Sequence, residues 1–317
     1  MPQPASRRLF LKSAVLSGAA LAMASAESLA GLPRVGRAPL GPVGPADDPL
    51  FRISLAQWSL HRAHHEGHMT ALDFAARARS FDIDAIEYVN TFFMDKAGDF
   101  AYLRELKQRA DDLGVKNLLI MIDAEGYLAD ADDAARRQAI ENHFKWIAAA
   151  AFLGCHAIRV NAAGSGTPDE QRDRAADSLR RLAEMATPYG VSVIVENHGG
   201  ISSNGAWLAE VMRTADHERV GTLPDFGNFR IAEGEHYDRY RGVAELMPFA
   251  KAVSAKSHDF DEHGEETSTD YRRMLQLVLD AGYHGYVGIE YEGSRLSEDD
   301  GIRATKTLLE TVRAEIA

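Results

Sequence analysis

Residues 191–200 read VSVIVENHGG, an apolar run that changes abruptly into a carboxylate, an amide, an imidazole and two glycines. A run of valine and isoleucine this short is typical of a strand buried on both faces. A carboxylate is costly to bury unless it is paired or bound to metal, so we expect Glu196 where the strand leaves its core. Ligand-type side chains just before a glycine turn indicate the rim of an α/β barrel or sheet. A strand followed by an ordinary polar loop is the alternative.

The same unit, an apolar run followed by an amphipathic stretch, recurs along the chain from Phe51 onward. Strands are predicted over residues 53–58, 85–90, 116–123, 157–161, 191–196, 220–225, 252–257 and 286–291. Helices are predicted between them, including residues 71–80, 101–113, 134–152 and 170–189. Eight such units in about 250 residues match a (β/α)8 TIM barrel, an α/β fold, forming a single domain over residues 51–317. A doubly wound open sheet is the alternative, but no Gly-x-Gly-x-x-Gly turn follows the first strand.

Element boundaries also carry local signals. Glycine ends helices in the left-handed conformation, and four glycines stand between a predicted helix and the next strand: Gly114, Gly154, Gly190 and Gly282. Thr70 followed by Asp73 predicts an N-cap pair that opens the first helix.

The N-terminus has the pattern of an export signal. Residues 6–12, SRRLFLK, resemble the twin-arginine motif, and the small and apolar residues 14–26 end in Ala-Ser-Ala, an A-x-A cleavage pattern. We expect a twin-arginine signal peptide over residues 1–30, a Gly- and Pro-rich linker over residues 31–50, and a periplasmic or otherwise exported protein. A basic, apolar N-terminal helix is the alternative.

Charge and cysteine content limit the possible partners. The 317 residues carry a formal net charge of -12, and no lysine- or arginine-rich run offers a surface for nucleic acid or anionic lipid. We therefore expect neither a nucleic-acid partner nor a membrane, and a homo-oligomer stays possible. The single cysteine, Cys155, rules out an internal disulfide.

The predicted strand ends are rich in ionisable side chains. Strands five, six and eight end at Glu196, Asp225 and Glu290, each an acid closing an apolar run. Because the carboxyl ends of barrel strands share one face, these acids could converge on one pocket. Oxygen ligands with an imidazole, and no thiolates, suit one divalent ion: Mn²⁺ first, with Mg²⁺, Co²⁺ or Zn²⁺ also possible.

Further side chains at the same face are candidates for substrate binding. They are Trp58, Glu87, Arg159, Asn161, His198, Asn228 and Lys256. Each has a structural alternative: Glu87 could pair with Arg159, Lys256 could pair with Glu290, and Trp58 could simply pack. The histidines at 61, 64, 65 and 68 are interpreted as a solvated surface loop.

The motifs around the three acids resemble those of a known family. The motifs VIVENH around Glu196, LPDFGN around Asp225 and GIEY around Glu290 resemble those of the xylose isomerase-like barrels, which include sugar phosphate isomerases, ketose 3-epimerases and inosose dehydratases. The resemblance covers about residues 51 to 315. It implies that the three acids and a strand-seven histidine hold one divalent ion, and that the two glutamates also move protons as catalytic residues.

The strand-seven histidine departs from the family pattern. The family places it two residues before a lysine, where this chain has Ser254 before Lys256. His258 lies on the same face and is the candidate ligand, but about 13 Å further along a fully extended strand. If His258 does not reach the ion, His198 completes the shell or a water takes the fourth position.

The resemblance implies proton abstraction next to a sugar carbonyl, through an enediolate, with Glu196 and Glu290 as base and acid or the reverse. Reprotonation gives epimerisation or isomerisation, and loss of a β-leaving group from a keto-glycoside gives a lyase or dehydratase. Export favours a non-phosphorylated carbohydrate. A metal-dependent hydrolase of the endonuclease IV type and a non-catalytic sugar-binding barrel are rivals.

Overall fold

The structure, a computed structural model, describes residues 49–317. The predicted signal peptide and nearly all of the predicted linker lie outside the described residues. Among the helices of the described part, none combines the length and apolar character needed to cross a bilayer.

Eight parallel strands form the centre of the fold. In chain order they are β1 Arg52–Ala56, β2 Ala85–Val89, β3 Lys116–Met121, β4 Ala157–Val160, β5 Ser192–Glu196, β6 Val220–Leu223, β7 Val253–Ser257 and β8 Tyr286–Tyr291. Their order in the sheet is β6-β5-β4-β3-β2-β1-β8-β7. Backbone hydrogen bonds from Lys251 to Thr222 and from Ser254 to Pro224, at 3.0 and 2.9 Å, join the two ends of this order. The predicted TIM barrel is therefore confirmed.

Helices surround the strands. They are α1 His61–His65, α2 Phe74–Arg79, α3 Phe100–Asp112, α4 Asp133–Leu153, α5 Pro168–Ala186, α6 Gly205–Ala215, α7 Arg239–Leu246, α8 Tyr271–Asp280 and α9 Glu298–Ile316. The four boundary glycines all have positive φ, between 65° and 83°. Thr70 and Asp73 form the expected capping box. Local sequence signals therefore place these boundaries correctly.

Two details at the start of the barrel differ from the prediction. Strand β1 ends at Ala56, and Gln57–Leu60 form a 3-10 turn instead of its last residues. His61–His65, interpreted as part of a loop, form the short helix α1.

Three further details differ. The first predicted helix begins as a 3-10 turn, Ala71–Asp73, before α2. The fourth ends in another such turn, Thr187–Tyr189, where Pro188 lacks the N–H that an α-helix needs. A short antiparallel hairpin, Arg230–Ala232 with Glu235–His236, follows β6, where no strand was predicted.

The barrel interior changes character along its axis. Alternate residues of each strand face inward, and eight apolar side chains form a buried cluster: Ala56, Val89, Leu119, Met121, Ala157, Ile194, Leu223 and Ala252. Two residues beyond Ile194 and Leu223, the same inward face carries Glu196 and Asp225, which are buried as well. An apolar layer therefore lies directly beneath the acids and restricts water from that side.

Glycine makes room for two of the residues around this layer. A Cβ added at Gly288 in β8 would lie 2.6 Å from Oε1 of Glu87, so only glycine leaves space for that carboxylate. A Cβ added at Gly301 in α9 would lie 2.3 Å from the buried ring of Tyr291, which follows Glu290 in β8. Helix α9 can pack against the strand end of the acid cluster only because position 301 has no side chain.

We predict that Gly301→Ala destabilises the protein. Overpacking against the Tyr291 ring should cost about 2 kcal/mol in the free energy of unfolding, more than the roughly 1 kcal/mol that alanine gains over glycine in a helix. Urea unfolding measures the difference. Gly98→Ala is the matched control, because its Cβ would meet no atom within 4 Å. A Gly301→Ala variant as stable as wild type, or more stable, would contradict the prediction, and a gain of about 1 kcal/mol would show that the ring moves aside without cost.

Candidate metal centre and active site

Three buried carboxylates meet at the carboxyl ends of the barrel strands. Glu196 is the last residue of β5, Asp225 follows β6 by two residues, and Glu290 is the penultimate residue of β8. One oxygen of each lies within 4.8 Å of the others. Their exposed fractions are 0%, 0% and 2%. The structure thus brings together the three acids that the sequence analysis singled out.

Asp225 is held firmly in this cluster. Its Oδ1 accepts the backbone N–H groups of Gly227 and Asn228, at 2.8 and 2.7 Å. Its own backbone N–H donates to Oδ1 of Asn197 at 2.8 Å, and the Asn197 amide donates back to its carbonyl at 3.0 Å. The residues that follow the motif acids in VIVENH and LPDFGN therefore tie the ends of β5 and β6 together.

Two buried cations partly balance the acids. Nε of Arg159 in β4 lies 2.9 Å from Oε2 of Glu196. Nζ of Lys256 in β7 lies 3.1 Å from Oε1 of Glu290 and 3.3 Å from Oε1 of Glu292. Both cations are at most 3% exposed, so the pairs are screened little by water. The predicted pairing of Lys256 with Glu290 is present, whereas the suggested partner of Arg159, Glu87, accepts from Ser54 instead, at 2.6 Å.

The acids differ in how the surroundings affect their pKa values. Burial raises the pKa of Glu196 to about 7, against the opposing charge of Arg159. Burial also raises the pKa of Asp225 to about 7, although Lys256 acts in the other direction. Burial would raise the pKa of Glu290 as well, but the charges of Lys256 and Arg159 outweigh it and hold this pKa below its ordinary value. Two of the three carboxylates are therefore short of positive charge.

The cluster fits a divalent metal ion. Oε2 of Glu196 is buried and has no hydrogen-bond partner, because the nearby N–H of Arg159 is not aligned with it. Three converging carboxylates, two of them with raised pKa values and one with an oxygen that accepts no hydrogen bond, are the donor set that a hard divalent cation takes. Glu196, Asp225 and Glu290 are the residues that would hold it.

A cavity of about 330 Å³ opens above the acids. Its wall consists of Trp58, His65, Val89, Thr91, Asp123, Arg159, His198, Glu290 and Glu292. Trp58 stacks between His61 and Phe92, with ring centroids 5.1 and 5.8 Å away, so the indole is fixed at the cavity wall. Desolvation in the cavity and the charges of Arg159 and Lys256 lower the pKa of His198. The cavity has a size suited to one small ligand.

Four other candidate side chains are not among the residues that line this cavity. Asn228 donates to Oε1 of Glu196 at 2.9 Å, and Asn161 donates to Oδ1 of Asp123 at 2.7 Å. Glu87 is buried, with 1% of its surface exposed. His258 is 47% exposed, its Nε2 lies 3.8 Å from Oε2 of Glu292, and it is not part of the carboxylate cluster.

Some residues at the site were missed by the sequence analysis. Asp123 lines the cavity and accepts a hydrogen bond from Nη1 of Arg159 at 2.8 Å. Burial would raise the pKa of Asp123, but the charge of Arg159 outweighs it and lowers this pKa. His65 also lines the cavity, and His64 stacks on Phe92 at 4.1 Å. The position of Asp123 at the end of predicted strand three was a usable signal, whereas nothing in the spacing of the histidines separated the half-buried His64 from its solvated neighbours.

Comparison with known families agrees with this fold. The profile of the family described as "Xylose isomerase-like TIM barrel" matches residues 75–313, most of the chain. The protein belongs to this family.

Short segments also resemble characterised proteins. Over 48 residues the chain is 42% identical to the 3'-dehydrocarminate deglycosidase alpha subunit of Microbacterium sp, covering 15% of this chain and 14% of that protein. Over 65 residues it is 37% identical to a C-glycoside deglycosidase alpha subunit of Arthrobacter globiformis, covering 20% of this chain and 18% of that protein. The chain spans less than a fifth of the length of these relatives.

Solved structures with the same fold cover much more of the chain. The apo form of 3-keto-D-glucoside 4-epimerase from E. coli has a TM-score of 0.63 and 17% identity, covering 76% of this chain and 94% of that one. A xylose isomerase-like TIM barrel protein from Mycobacterium smegmatis, in complex with magnesium, has a TM-score of 0.64 and 17% identity. The match covers 84% of this chain and 98% of that one. At these identities the likeness shows the shared fold.

We predict that Glu87→Gln stabilises the metal-free protein at alkaline pH. Burial raises the pKa of Glu87 from 4.5 to about 7, so the folded state binds more protons than the unfolded state between these values. The stability that the protonated Glu87 side chain contributes is therefore fully present below pH 4.5 and is lost as pH rises through 7. Relative to wild type, the variant should gain up to about 3 kcal/mol in unfolding free energy between pH 4.5 and pH 8.

The measurement is urea unfolding in EDTA across this pH range. The matched control is Glu184→Gln, a charge removal at an exposed position of α5. A pH dependence of Glu87→Gln that overlays wild type would contradict the raised pKa.

Proposed function

We propose that this protein is a divalent-metal-dependent sugar isomerase or epimerase that acts on a non-phosphorylated sugar or keto-sugar. The observation that carries the proposal is the convergence of Glu196, Asp225 and Glu290 within 4.8 Å, next to a cavity that Glu290 lines. Supporting it are membership in the xylose isomerase-like family and the fold shared with 3-keto-D-glucoside 4-epimerase.

The three acids hold the ion, and Mn²⁺ is the first candidate. The bound ion supplies a Lewis acid that polarises a carbonyl next to the C–H bond to be broken. His258 stays a candidate fourth ligand only if the end of β7 moves, since its imidazole faces Glu292. Binding of magnesium by the Mycobacterium smegmatis protein is consistent with a hard ion in a barrel of this kind.

The proton transfers are assigned to the two glutamates. Glu196 takes the proton from the carbon next to the carbonyl and Glu290 returns one, or the reverse. Arg159 and Lys256 stand beside these carboxylates and can stabilise the negative charge of the enediolate oxygens. Trp58 offers the edge of its indole to the sugar ring, because its faces stack on His61 and Phe92. His198, Asn161 and Asn228 offer hydrogen bonds to hydroxyl groups.

A lyase is the second candidate. Its supporting observation is the short segments that match deglycosidase alpha subunits. After the same first proton transfer, the enediolate would expel a β-leaving group from a keto-glycoside instead of being reprotonated. Export through the twin-arginine pathway is part of the proposal, and it favours free sugars and glycosides as substrates over phosphorylated sugars.

Solvent exchange distinguishes the possible reactions. The protein is incubated with free ketoses and 3-keto-glycosides in deuterium oxide, with Mn²⁺ or with EDTA. We expect deuterium at one substrate carbon with Mn²⁺ and background exchange with EDTA. Retention of the glycoside indicates the epimerase or isomerase, and release of the aglycone indicates the lyase. Binding without exchange in any substrate would support a sugar-binding barrel and refute the enzyme.

We predict that Glu196→Gln and Glu290→Gln each lower the rate of deuterium exchange about 100-fold or more, because each removes a group that moves a proton. Proton NMR of the substrate follows the exchange. Glu184→Gln is the control for a charge change far from the site. Exchange at the wild-type rate in either variant would remove that glutamate from the mechanism.

A further inference from the structure

Ser254 in β7 lies within the acid cluster without being an acid. Its Oγ is 2.7 Å from Oδ2 of Asp225 and 3.1 Å from Oε2 of Glu290. The residue is 1% exposed. This hydroxyl therefore touches two of the three carboxylates that would hold the metal ion, a closer approach to the cluster than any histidine of the described residues makes.

The backbone fixes where this hydroxyl can be. Ser254 donates its N–H to Pro224 at 2.9 Å and accepts the N–H of Phe226 at 3.0 Å, so it lies beside Asp225 across the seam of the barrel. On its other side β7 is paired with β8 in register with Gly288, which has no side chain. Ser254 is thus held on both sides, and its Oγ reaches the acids from a rigid strand.

The hydroxyl has one proton and two acidic neighbours. It can donate to Asp225 or to Glu290 but not to both at once. The lone pairs of the same hydroxyl stay free to accept. Ser254 therefore places a neutral oxygen, and not a nitrogen, between the two acids.

The two candidate histidines do not supply a nitrogen. His258 is directed to Glu292 and His198 stands on the cavity wall, and neither belongs to the group of ligand atoms that lie within 4.8 Å of one another. Among the histidines, cysteines and acids of residues 49–317, the ligand atoms gathered at this point are those of Glu196, Asp225 and Glu290, and the Ser254 hydroxyl touches two of these acids.

We propose that Ser254 makes this an all-oxygen metal centre, in which the hydroxyl positions Asp225 and Glu290 and no imidazole binds the ion. This inference rests on the proposed metal-dependent function. Carboxylate, hydroxyl and water oxygens suit Mg²⁺ and Mn²⁺, whereas imidazole adds affinity for Zn²⁺ and Co²⁺. The residue at position 254 therefore determines how strongly the site discriminates between these two groups of ions.

Pulsed electron paramagnetic resonance of Mn²⁺ bound to the full-length protein tests the absence of a nitrogen ligand. Electron spin-echo envelope modulation detects a directly bound nitrogen. We expect no nitrogen modulation in wild type or Ser254→Ala, and modulation in Ser254→His. Nitrogen modulation in wild type would overturn the proposal, and its loss in His198→Ala or His258→Ala would identify the histidine that binds.

Calorimetric titration of the EDTA-treated protein tests the selectivity. We expect Ser254→His to raise the ratio of Zn²⁺ to Mn²⁺ affinity about tenfold or more over wild type, because zinc gains more from imidazole. Ser254→Ala should weaken Mn²⁺ binding by roughly tenfold, since it removes the group that orients two ligands. Unchanged Mn²⁺ affinity in Ser254→Ala would overturn the positioning role, even if Ser254→His fails to fold.

Different results would refute the proposed function and the all-oxygen metal centre. If wild type binds no divalent ion, both the metal-dependent function and this inference are wrong. If it binds Mn²⁺ through nitrogen, the function stands and only the all-oxygen centre is wrong.

Discussion

The burial of three carboxylates at one end of the barrel is the constraint on which the site depends. Glu196, Asp225 and Glu290 are almost fully removed from water, and like charges this close repel strongly in a medium of low dielectric constant. Arg159 and Lys256 neutralise part of that charge. Burial nevertheless raises the pKa of Glu196 and Asp225 to about 7, and one oxygen of Glu196 accepts no hydrogen bond, which creates the demand for a cation.

The barrel makes this arrangement possible because the side chains along each strand point alternately into and out of the barrel. An inward apolar layer that includes Ile194 and Leu223 supports an inward charged layer two residues further along each strand. The hydrophobic burial of the first layer stabilises a fold that could not otherwise bear the desolvation of the second. Gly288 shows how tight the fit is, since any side chain there would overlap Glu87. Stability and function are therefore set by neighbouring positions of the same strands.

Much of this could be predicted from periodicity and local signals. The eight strands, the boundary glycines and the three acids follow from patterns that act over a few residues, and the parallel topology then requires the strand ends to share one face. The contacts of Asp123 with Arg159 and of His64 with Phe92 depend instead on which segments the fold places side by side. The hairpin after β6 is local, but periodicity did not reveal it.

The sequence by itself determined which residues would stand at the strand ends, because strand period and glycine boundaries are local properties of the chain. It also showed that Ser254 stands where the family has a histidine. Only the tertiary structure decided that this hydroxyl meets Asp225 and Glu290 while His258 turns to Glu292. The physical reason is the closure of the barrel: hydrogen bonds between the β6 end and β7 set the approach of the side chains, and no spacing along the chain encodes them.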